Sequence, residues 1–151
     1  MTLTLRVNGI RHEIASPPDT PLIFVLRNEL KLKGAKLGCG LEQCGACAVL
    51  VDGKSVLSCV TEVAAFEGKD ITTVEGIVAT DMGARVQDAF VAESAAQCGY
   101  CTAGLVVAST ALLTEDPKPD RDTVAEALTP HLCRCGSHPR VFRAIARAAR
   151  T

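Results

Sequence analysis

The eight cysteines of this 151-residue chain limit its possible folds more than any other feature. A piece of half this length buries too little surface to be comfortably stable by itself, so cross-links or bound metals are expected. The cysteines form two groups, one in each half of the chain. The first has the spacing C-x4-C-x2-C-x11-C and contains Cys39, Cys44, Cys47 and Cys59, whereas the second has the spacing C-x2-C-x31-C-x-C and contains Cys98, Cys101, Cys133 and Cys135.

Four cysteine thiolates favour tetrahedral metal coordination, and sulfur-only ligation leaves structural zinc or an iron–sulfur cluster as the choices. The C-x4-C-x2-C opening of the first group is the spacing of plant-type [2Fe–2S] loops, in which a distant fourth cysteine closes the site. Gly38, Gly40 and Gly45 lie in this segment and allow backbone N–H groups to approach the sulfurs closely. The spacing of the second group is less diagnostic because of its long gap, so a structural zinc ion remains an alternative to a cluster at this site.

Two histidines flank the last cysteine pair and raise a further possibility. In Rieske centres two histidines replace two cysteines on one iron. His131 and His138 surround Cys133 and Cys135 in this way, but four cysteines already complete a ligand set. We therefore expect both histidines to have a capping or packing role.

Disulfides are the alternative to metals, and they fit a small secreted domain. The N-terminal segment carries charges at Arg6, Arg11 and Glu13 and has no continuous apolar run, so it does not resemble a secretory signal. We expect a reducing, cytoplasmic location. The uncharged run over residues 94–114 is long enough to span a bilayer, but its Gln97, cysteines, glycines and hydroxyls favour a buried core helix. No direct membrane insertion is expected.

Charge and aromatic content exclude a nucleic-acid role. Sixteen Lys and Arg residues against 17 Asp and Glu residues give a net charge of −1, which provides no attraction to phosphate backbones. Four Phe, one Tyr and no Trp leave few platforms on which bases could stack.

The pattern of the first half predicts strands around one helix. Alternating apolar residues on both sides of Asn8-Gly9 predict a hairpin over residues 3–14, and Asp52-Gly53 predicts a second hairpin over residues 47–60. Pro21 after Thr20 marks a helix start. A short strand near residues 71–74 completes a small mixed sheet that grips this helix.

The second half predicts a helical bundle, because Ala-rich helical patterns replace strand patterns after about residue 79. Asp81, Asp122 and Ser137 are candidate N-caps. The expected class is α+β, with one domain over residues 1–76 and a helical domain over residues 80–151. The predicted helices cover residues 82–94, 102–113, 123–128 and 141–149.

Three segments together resemble the small iron–sulfur subunits of the molybdenum hydroxylases, the xanthine oxidase family. They are GCGLEQCGACAVLVDGKSVLSC at 38–59, QCGYCTAG at 97–104 and LCRCGSH at 132–138. The resemblance covers nearly the whole chain. Within the family, the LCRCGSHPRVFRAI segment is most similar to the small subunits of nicotinate dehydrogenase and isoquinoline 1-oxidoreductase.

The resemblance implies a β-grasp, plant-type ferredoxin-like domain that holds one [2Fe–2S] cluster through the first cysteine group. It implies a helical domain that holds a second cluster through the other group, nearer the molybdenum cofactor of a partner. By the same comparison Gln97 hydrogen-bonds the pterin, and Cys135 lies between cluster and pterin. The family more often has Phe at the position of Tyr100 and Pro at that of Ala103, and neither difference touches a ligand.

The function implied by this resemblance is electron transfer within a molybdenum-dependent hydroxylase or dehydrogenase. The two clusters carry single electrons from the molybdopterin site of a large catalytic subunit to an external acceptor, which is a flavin subunit, a cytochrome or a quinone. The implied substrate is an N-heterocyclic aromatic compound or an aldehyde, and this chain alone is not catalytic. A free-standing two-cluster ferredoxin and a structural zinc module are the alternatives.

Overall fold

The computed structural model describes residues 2–151. Its first part is a mixed sheet of five strands in the order β2-β1-β5-β3-β4. Strand β5 runs parallel to β1, and the other neighbouring strands are antiparallel. The strands are β1 (Leu3–Val7), β2 (Ile10–Ile14), β3 (Ala48–Val51), β4 (Lys54–Leu57) and β5 (Asp70–Thr72).

Both predicted hairpins are confirmed. Asn8 and Gly9 have φ values of 52° and 80°, and Asp52 and Gly53 have φ values of 50° and 83°. Positive φ at both central residues is typical of the two-residue turn whose twist matches that of the flanking strands. The short loops therefore fix the register of both strand pairs.

The predicted helix after Pro21 is confirmed but short. Helix α1 (Leu22–Phe24) passes into a π-helical turn over Val25–Glu29. Its apolar side packs on one face of the sheet, where Leu22, Ile23, Val25 and Leu26 are fully buried. A 3₁₀ turn over Val63–Phe66 covers the same core.

The remaining elements are helical. They are α2 (Val74–Ile77), α3 (Asp81–Ala92), α4 (Thr102–Glu115), α5 (Arg121–Ala127) and α6 (His138–Arg150). The central helix α4 is buried from Gly104 to Thr110, as the uncharged run predicts. Among residues 2–151, no helix combines the length and apolar composition needed to cross a bilayer.

Two predicted helix starts are wrong by one or two residues. Thr80, in an extended conformation, caps α3 by accepting a hydrogen bond from Gly83 N, so Asp81 lies inside the first turn. Asp120, also extended, caps α5 through Thr123 N, so Asp122 is not the cap. In both cases the residue with extended backbone presents its oxygen to the free N–H three positions later.

Strand β3 connects the sheet to the helices, because all four of its residues are buried. Val49 and Val51 belong to the core beneath α1, whereas Ala48 and Leu50 belong to the core formed by the helices. Helix α4 packs on this second face of the sheet. The molecule is an α+β protein in which one strand contributes to two cores.

Candidate metal centres

The first cysteine group lies in the loop that leads into β3 and in the segment after β4. Gly40, Glu42 and Gly45 have φ values of 67°, 55° and 76°, so the loop curves too tightly for a helix. This curvature turns backbone N–H groups toward sulfur. The donor pairs are Cys39 N to Cys44 Sγ (3.4 Å), Leu41 N and Gln43 N to Cys39 Sγ (3.3 and 3.2 Å), Glu42 N to Cys59 Sγ (3.4 Å), and Ser58 N to Cys47 Sγ (3.3 Å).

The thiols of this group differ strongly in environment. Cys39 is exposed, and backbone hydrogen bonds from Gln43 and Leu41 lower its pKa to about 7. Cys59 is buried, and its burial raises the pKa to about 11, with further contributions from Cys47 and Cys39 close by. The group therefore reaches from the surface into the core of the first half.

The second cysteine group lies where two helices begin. Cys98 and Cys101 precede α4, and Cys133 and Cys135 occupy the turn before α6. Burial raises the pKa of Cys101 to about 12, and the Cys133 and Cys98 thiols act in the same direction. Cys135 follows Cys133 by two residues, and its backbone oxygen accepts from Gln97 Nε2 at 3.3 Å. The fold thus brings these four positions together across a gap of 31 residues.

Cys133 has a lowered pKa, in contrast to Cys101. Burial opposes its ionisation, but hydrogen bonds from the side chain and backbone N–H of Ser137, together with smaller contributions from Cys101 and Cys135, outweigh the effect of burial and lower the pKa to about 6. The Ser137 Oγ lies 3.1 Å and the Ser137 N lies 3.4 Å from Cys133 Sγ. Both donors favour negative charge on this sulfur.

Both groups fit the donor set of a [2Fe–2S] cluster, in which four thiolates are shared between two irons. Each has four cysteines and N–H or O–H donors directed at sulfur. Within residues 2–151, no group of three or more His, Cys, Asp or Glu side chains is placed to hold a single metal ion. A binuclear cluster needs a wider space, because no more than two of its protein ligands bind the same iron.

The two histidines have packing roles. His131 is 4% exposed, lies against Gly45, and has its pKa lowered to about 4 by burial. The His138 Nε2 lies 2.9 Å from the His131 carbonyl oxygen. These contacts place the His131 ring against the first cysteine loop and link His138 to the His131 backbone, and the expectation that neither histidine is a ligand stays a prediction.

Direct contacts join the segments that carry the two cysteine groups. Leu132 N donates to Cys44 O at 3.0 Å, and Tyr100 Oη donates to Leu37 O. Sequence reasoning missed these contacts, since they depend on backbone positions that either half alone does not determine. The two candidate centres are consequently neighbours in one structure.

Gln97 lies on the surface beside the second group. It is exposed, and its Nε2 donates to Cys135 O at 3.3 Å. The side chain therefore links the segment before α4 to the turn before α6. The side-chain amide oxygen of Gln97 has no hydrogen-bond donor among residues 2–151.

Family models match both halves of the chain. Residues 5–72 match a 2Fe-2S iron-sulfur cluster binding domain, and residues 73–146 match a [2Fe-2S] binding domain. The fold and the two cysteine groups thus define an iron–sulfur protein with two [2Fe–2S] binding domains.

Individual relatives narrow this class. The chain is 47% identical over 150 residues to one of the subunits of nicotinate dehydrogenase from Pseudomonas putida, covering 99% of this chain and 96% of the relative. It is 42% identical over 134 residues to the alpha chain of isoquinoline 1-oxidoreductase from Brevundimonas diminuta, covering 89% and 88%. The crystal structure of quinoline 2-oxidoreductase from Pseudomonas putida 86 contains a similar chain, with a TM-score of 0.91, 36% identity, and coverage of 99% and 94%.

The chain belongs to the family of small iron–sulfur subunits of the molybdenum hydroxylases, and the resemblance seen in its cysteine segments is confirmed. It is an iron–sulfur subunit of the oxidoreductase type, with two [2Fe–2S] clusters as its cofactors.

Proposed function

We propose that this chain transfers electrons from the molybdopterin site of a large partner subunit to an external acceptor. The observation that carries the proposal is the presence of two cysteine groups, each with its own hydrogen-bond donors, in directly contacting segments. Each [2Fe–2S] cluster, when bound, takes up and releases one electron. Two such sites in one chain suit a partner reaction that yields two electrons.

The proposed ligands are the eight cysteines. Cys39, Cys44, Cys47 and Cys59 would hold one cluster in a β-grasp domain over residues 1–76, and Cys98, Cys101, Cys133 and Cys135 the other in a helical-bundle domain over residues 80–151. The converging N–H donors at the first group and the Ser137 contacts at the second support this assignment.

Substitution of single cysteines tests the ligand sets. Cys98→Ser is expected to remove one [2Fe–2S] signal in electron paramagnetic resonance (EPR) and to leave the other. Cys44→Ser is the reciprocal variant and is expected to remove the other signal. Loss of both signals in each variant would contradict two independent sites.

Gln97 is proposed to hydrogen-bond the pterin of the partner, and Cys135 to lie between that pterin and the second cluster. The exposure of Gln97, together with its bond to Cys135 O, supports this role, because its side-chain oxygen stays accessible to a docked cofactor. We expect Gln97→Ala to lower retention of the molybdenum cofactor in the complex. Unchanged retention would leave Gln97 as a local link only.

The proposed partner is a large molybdopterin-binding subunit, and the acceptor is a flavin subunit or a cytochrome. The names of the relatives support an N-heterocyclic aromatic substrate of the nicotinate type, with an aldehyde as the second choice. Purification from the native source tests the assembly. Molybdenum and a large chain should accompany the iron, whereas an iron-containing chain without them would favour a free-standing ferredoxin.

A further inference from the structure

Ser137 occupies a helix-capping position without capping the helix. It is the N-cap residue of α6, where a serine oxygen usually accepts a hydrogen bond from an N–H of the first turn. Its side chain makes no such bond, and its backbone has φ −77° and ψ −2°. The Ser137 hydroxyl therefore remains free for another interaction.

The sequence after Ser137 explains why the hydroxyl is free. Pro139, the second helical residue, has no N–H to donate. The Arg140 N–H, one position later, donates to the Ser137 carbonyl at 3.0 Å. Neither of the usual capping donors is thus available to the Ser137 oxygen.

The hydroxyl is directed at sulfur instead. Ser137 is 1% exposed, so water does not compete for its hydroxyl. Cys133 Sγ, at 3.1 Å, is its hydrogen-bond partner within the described chain, and Ser137 N approaches the same sulfur at 3.4 Å. A thiolate can only accept, so in a metal-bound state the hydroxyl must be the donor. Two donors from one residue then converge on one ligand atom.

We propose that Ser137 raises the reduction potential of the second cluster by donating these hydrogen bonds to Cys133 Sγ. The proposal rests on the assignment of Cys133 as a ligand. An added electron increases the negative charge on the cluster sulfurs, and hydrogen-bond donors stabilise the more negative state more strongly. Ser137 is therefore a positioning and tuning residue rather than a catalytic one.

The two cysteine groups differ in the kind of donor that reaches sulfur. In the first group the donors to sulfur are backbone N–H groups, which side-chain substitution does not remove. In the second group a side-chain hydroxyl supplies one donor, and it can be deleted by removing a single oxygen atom. The first cluster then serves as an internal reference in the same molecule.

The test is a redox titration of the whole chain, with the EPR signals of both clusters recorded at each potential. In Ser137→Ala we expect the midpoint of the second cluster to become more negative and that of the first to stay unchanged. The expected shift is up to about tenfold in the equilibrium constant of reduction, or about 59 mV for a one-electron couple. Ser137→Thr keeps the hydroxyl and is expected to restore the midpoint.

Ser109→Ala is the matched control, because Ser109 is also fully buried and its hydroxyl has no partner in the described chain. It should shift neither midpoint. If Cys133→Ser removes the second signal but Ser137→Ala leaves its midpoint unchanged, the tuning role is overturned and the ligand assignment stands. If Cys133→Ser leaves the second signal intact, the ligand assignment itself has failed.

A second measurement needs no substitution. Electron–nuclear double resonance of the wild-type second cluster, compared between protein assembled in H₂O and in D₂O, should detect exchangeable protons coupled to the cluster. The Ser137 hydroxyl and the Ser137 N–H are the expected sources, since both lie against Cys133 Sγ. Absence of any exchangeable coupled proton would overturn the proposal even if Ser137→Ala failed to assemble its cluster.

Discussion

Gly104 illustrates how a single missing side chain lets the two cysteine-bearing segments meet. A Cβ at this position in α4 would lie 2.1 Å from Gly45 O, far inside van der Waals contact. A Cβ on Gly45 would lie 2.3 Å from His131 Nδ1 and 2.6 Å from Pro130 O. Because Gly45 lies between Cys44 and Cys47, this contact fixes the first cysteine loop against the helical part of the molecule.

Gly104→Ala is predicted to destabilise the protein. In an unconstrained helix interior the same change would stabilise by roughly 0.5–1 kcal/mol, because alanine is the better helix former. Here the added methyl group meets backbone, and overpacking of this kind costs about 1–3 kcal/mol. The sign of the change in apparent melting temperature, at a fixed scan rate, checks the prediction. A higher melting temperature would show that the loop gives way easily.

For single residues, the sequence predicted the chemistry of the sites better than it predicted the contacts between side chains. The cysteine spacings indicated two metal sites, and the glycines around Cys39 and Cys44 indicated a tight loop. The role of Ser137 was not predictable by the same means, because a serine before a helix is read as a cap. Only the positions of Pro139 and Cys133 relative to its hydroxyl reveal the other interaction.

Individual elements depend on polar contacts at their ends. Helix α3 begins with Thr80, whose Oγ1 accepts from Gly83 N at 3.0 Å. Thr80→Ala is predicted to lower the unfolding free energy by about 1 kcal/mol, since it leaves a helix N–H without its cap. Asp81→Asn is the control and should cost less, because Asp81 acts only through its charge near the helix N-terminus. Equal losses in thermal unfolding would argue against Thr80 as the cap.

Glu29 ties the loop after β2 to the end of the π-helical turn. Its carboxylate accepts hydrogen bonds from Ser16 Oγ, Ala15 N and Ser16 N. These bonds lower the pKa of Glu29, and the bond from the Ser16 side chain has the largest effect. Because the pKa is lower in the folded state, the carboxylate stabilises the fold at pH values above its unfolded-state pKa. This stabilisation is lost as the pH falls through the folded-state pKa.

Glu29→Gln is therefore predicted to destabilise the protein at pH 7 by about 1 kcal/mol or less, since the site is partly exposed and screened. The difference from wild type should shrink as the pH falls from the ordinary glutamate pKa of 4.5 through the lower pKa of Glu29 in the folded state. Far-ultraviolet circular dichroism during heating, at a series of pH values, measures both melting temperatures. A difference that shows no decrease over the acidic range in which the wild type stays folded would contradict the assigned role.

Element types were predictable because they follow hydrophobic period and turn chemistry, whereas element ends were not. Asn8-Gly9 and Asp52-Gly53 set both hairpins locally. Ser137 is confirmed at the N-cap position of α6, but the predicted helix range begins at 141 rather than at His138, because the apolar pattern begins only at Val141. The choice between Thr80 and Asp81, two adjacent polar residues, depends on backbone angles that tertiary packing determines.

At the scale of the whole molecule, strand β3 joins the two halves, because it contributes side chains to both cores. Its alternating side chains enter different cores, with Val49 on the side of α1 and Leu50 on the side of α4. The four-residue apolar run AVLV is typical of a strand buried on both faces. The sequence offered this signal, but the identity of the covering helix became apparent only from the packing of α4 on β3.

Leu50→Ala is predicted to accelerate the thermal loss of both clusters together. Leu50 is 8% exposed, and truncation of a buried leucine costs about 2–5 kcal/mol. Leu50 lies on the strand that leads from Cys47 but packs among the helices. The loss of unfolding free energy should therefore weaken the structure around both cysteine groups. Ile10→Ala, at a residue that is 61% exposed in β2, is the control and should change little.

The measurement is the fraction of each EPR signal that remains after timed heating, followed by cooling and reduction. In wild type and in Leu50→Ala the two signals should decay in parallel, since separation of the cores exposes both groups at once. Decay of one signal well before the other would mean that the halves open independently. In that case the contacts of Leu132 with Cys44 and of Tyr100 with Leu37 would hold the two segments together without coupling their stability.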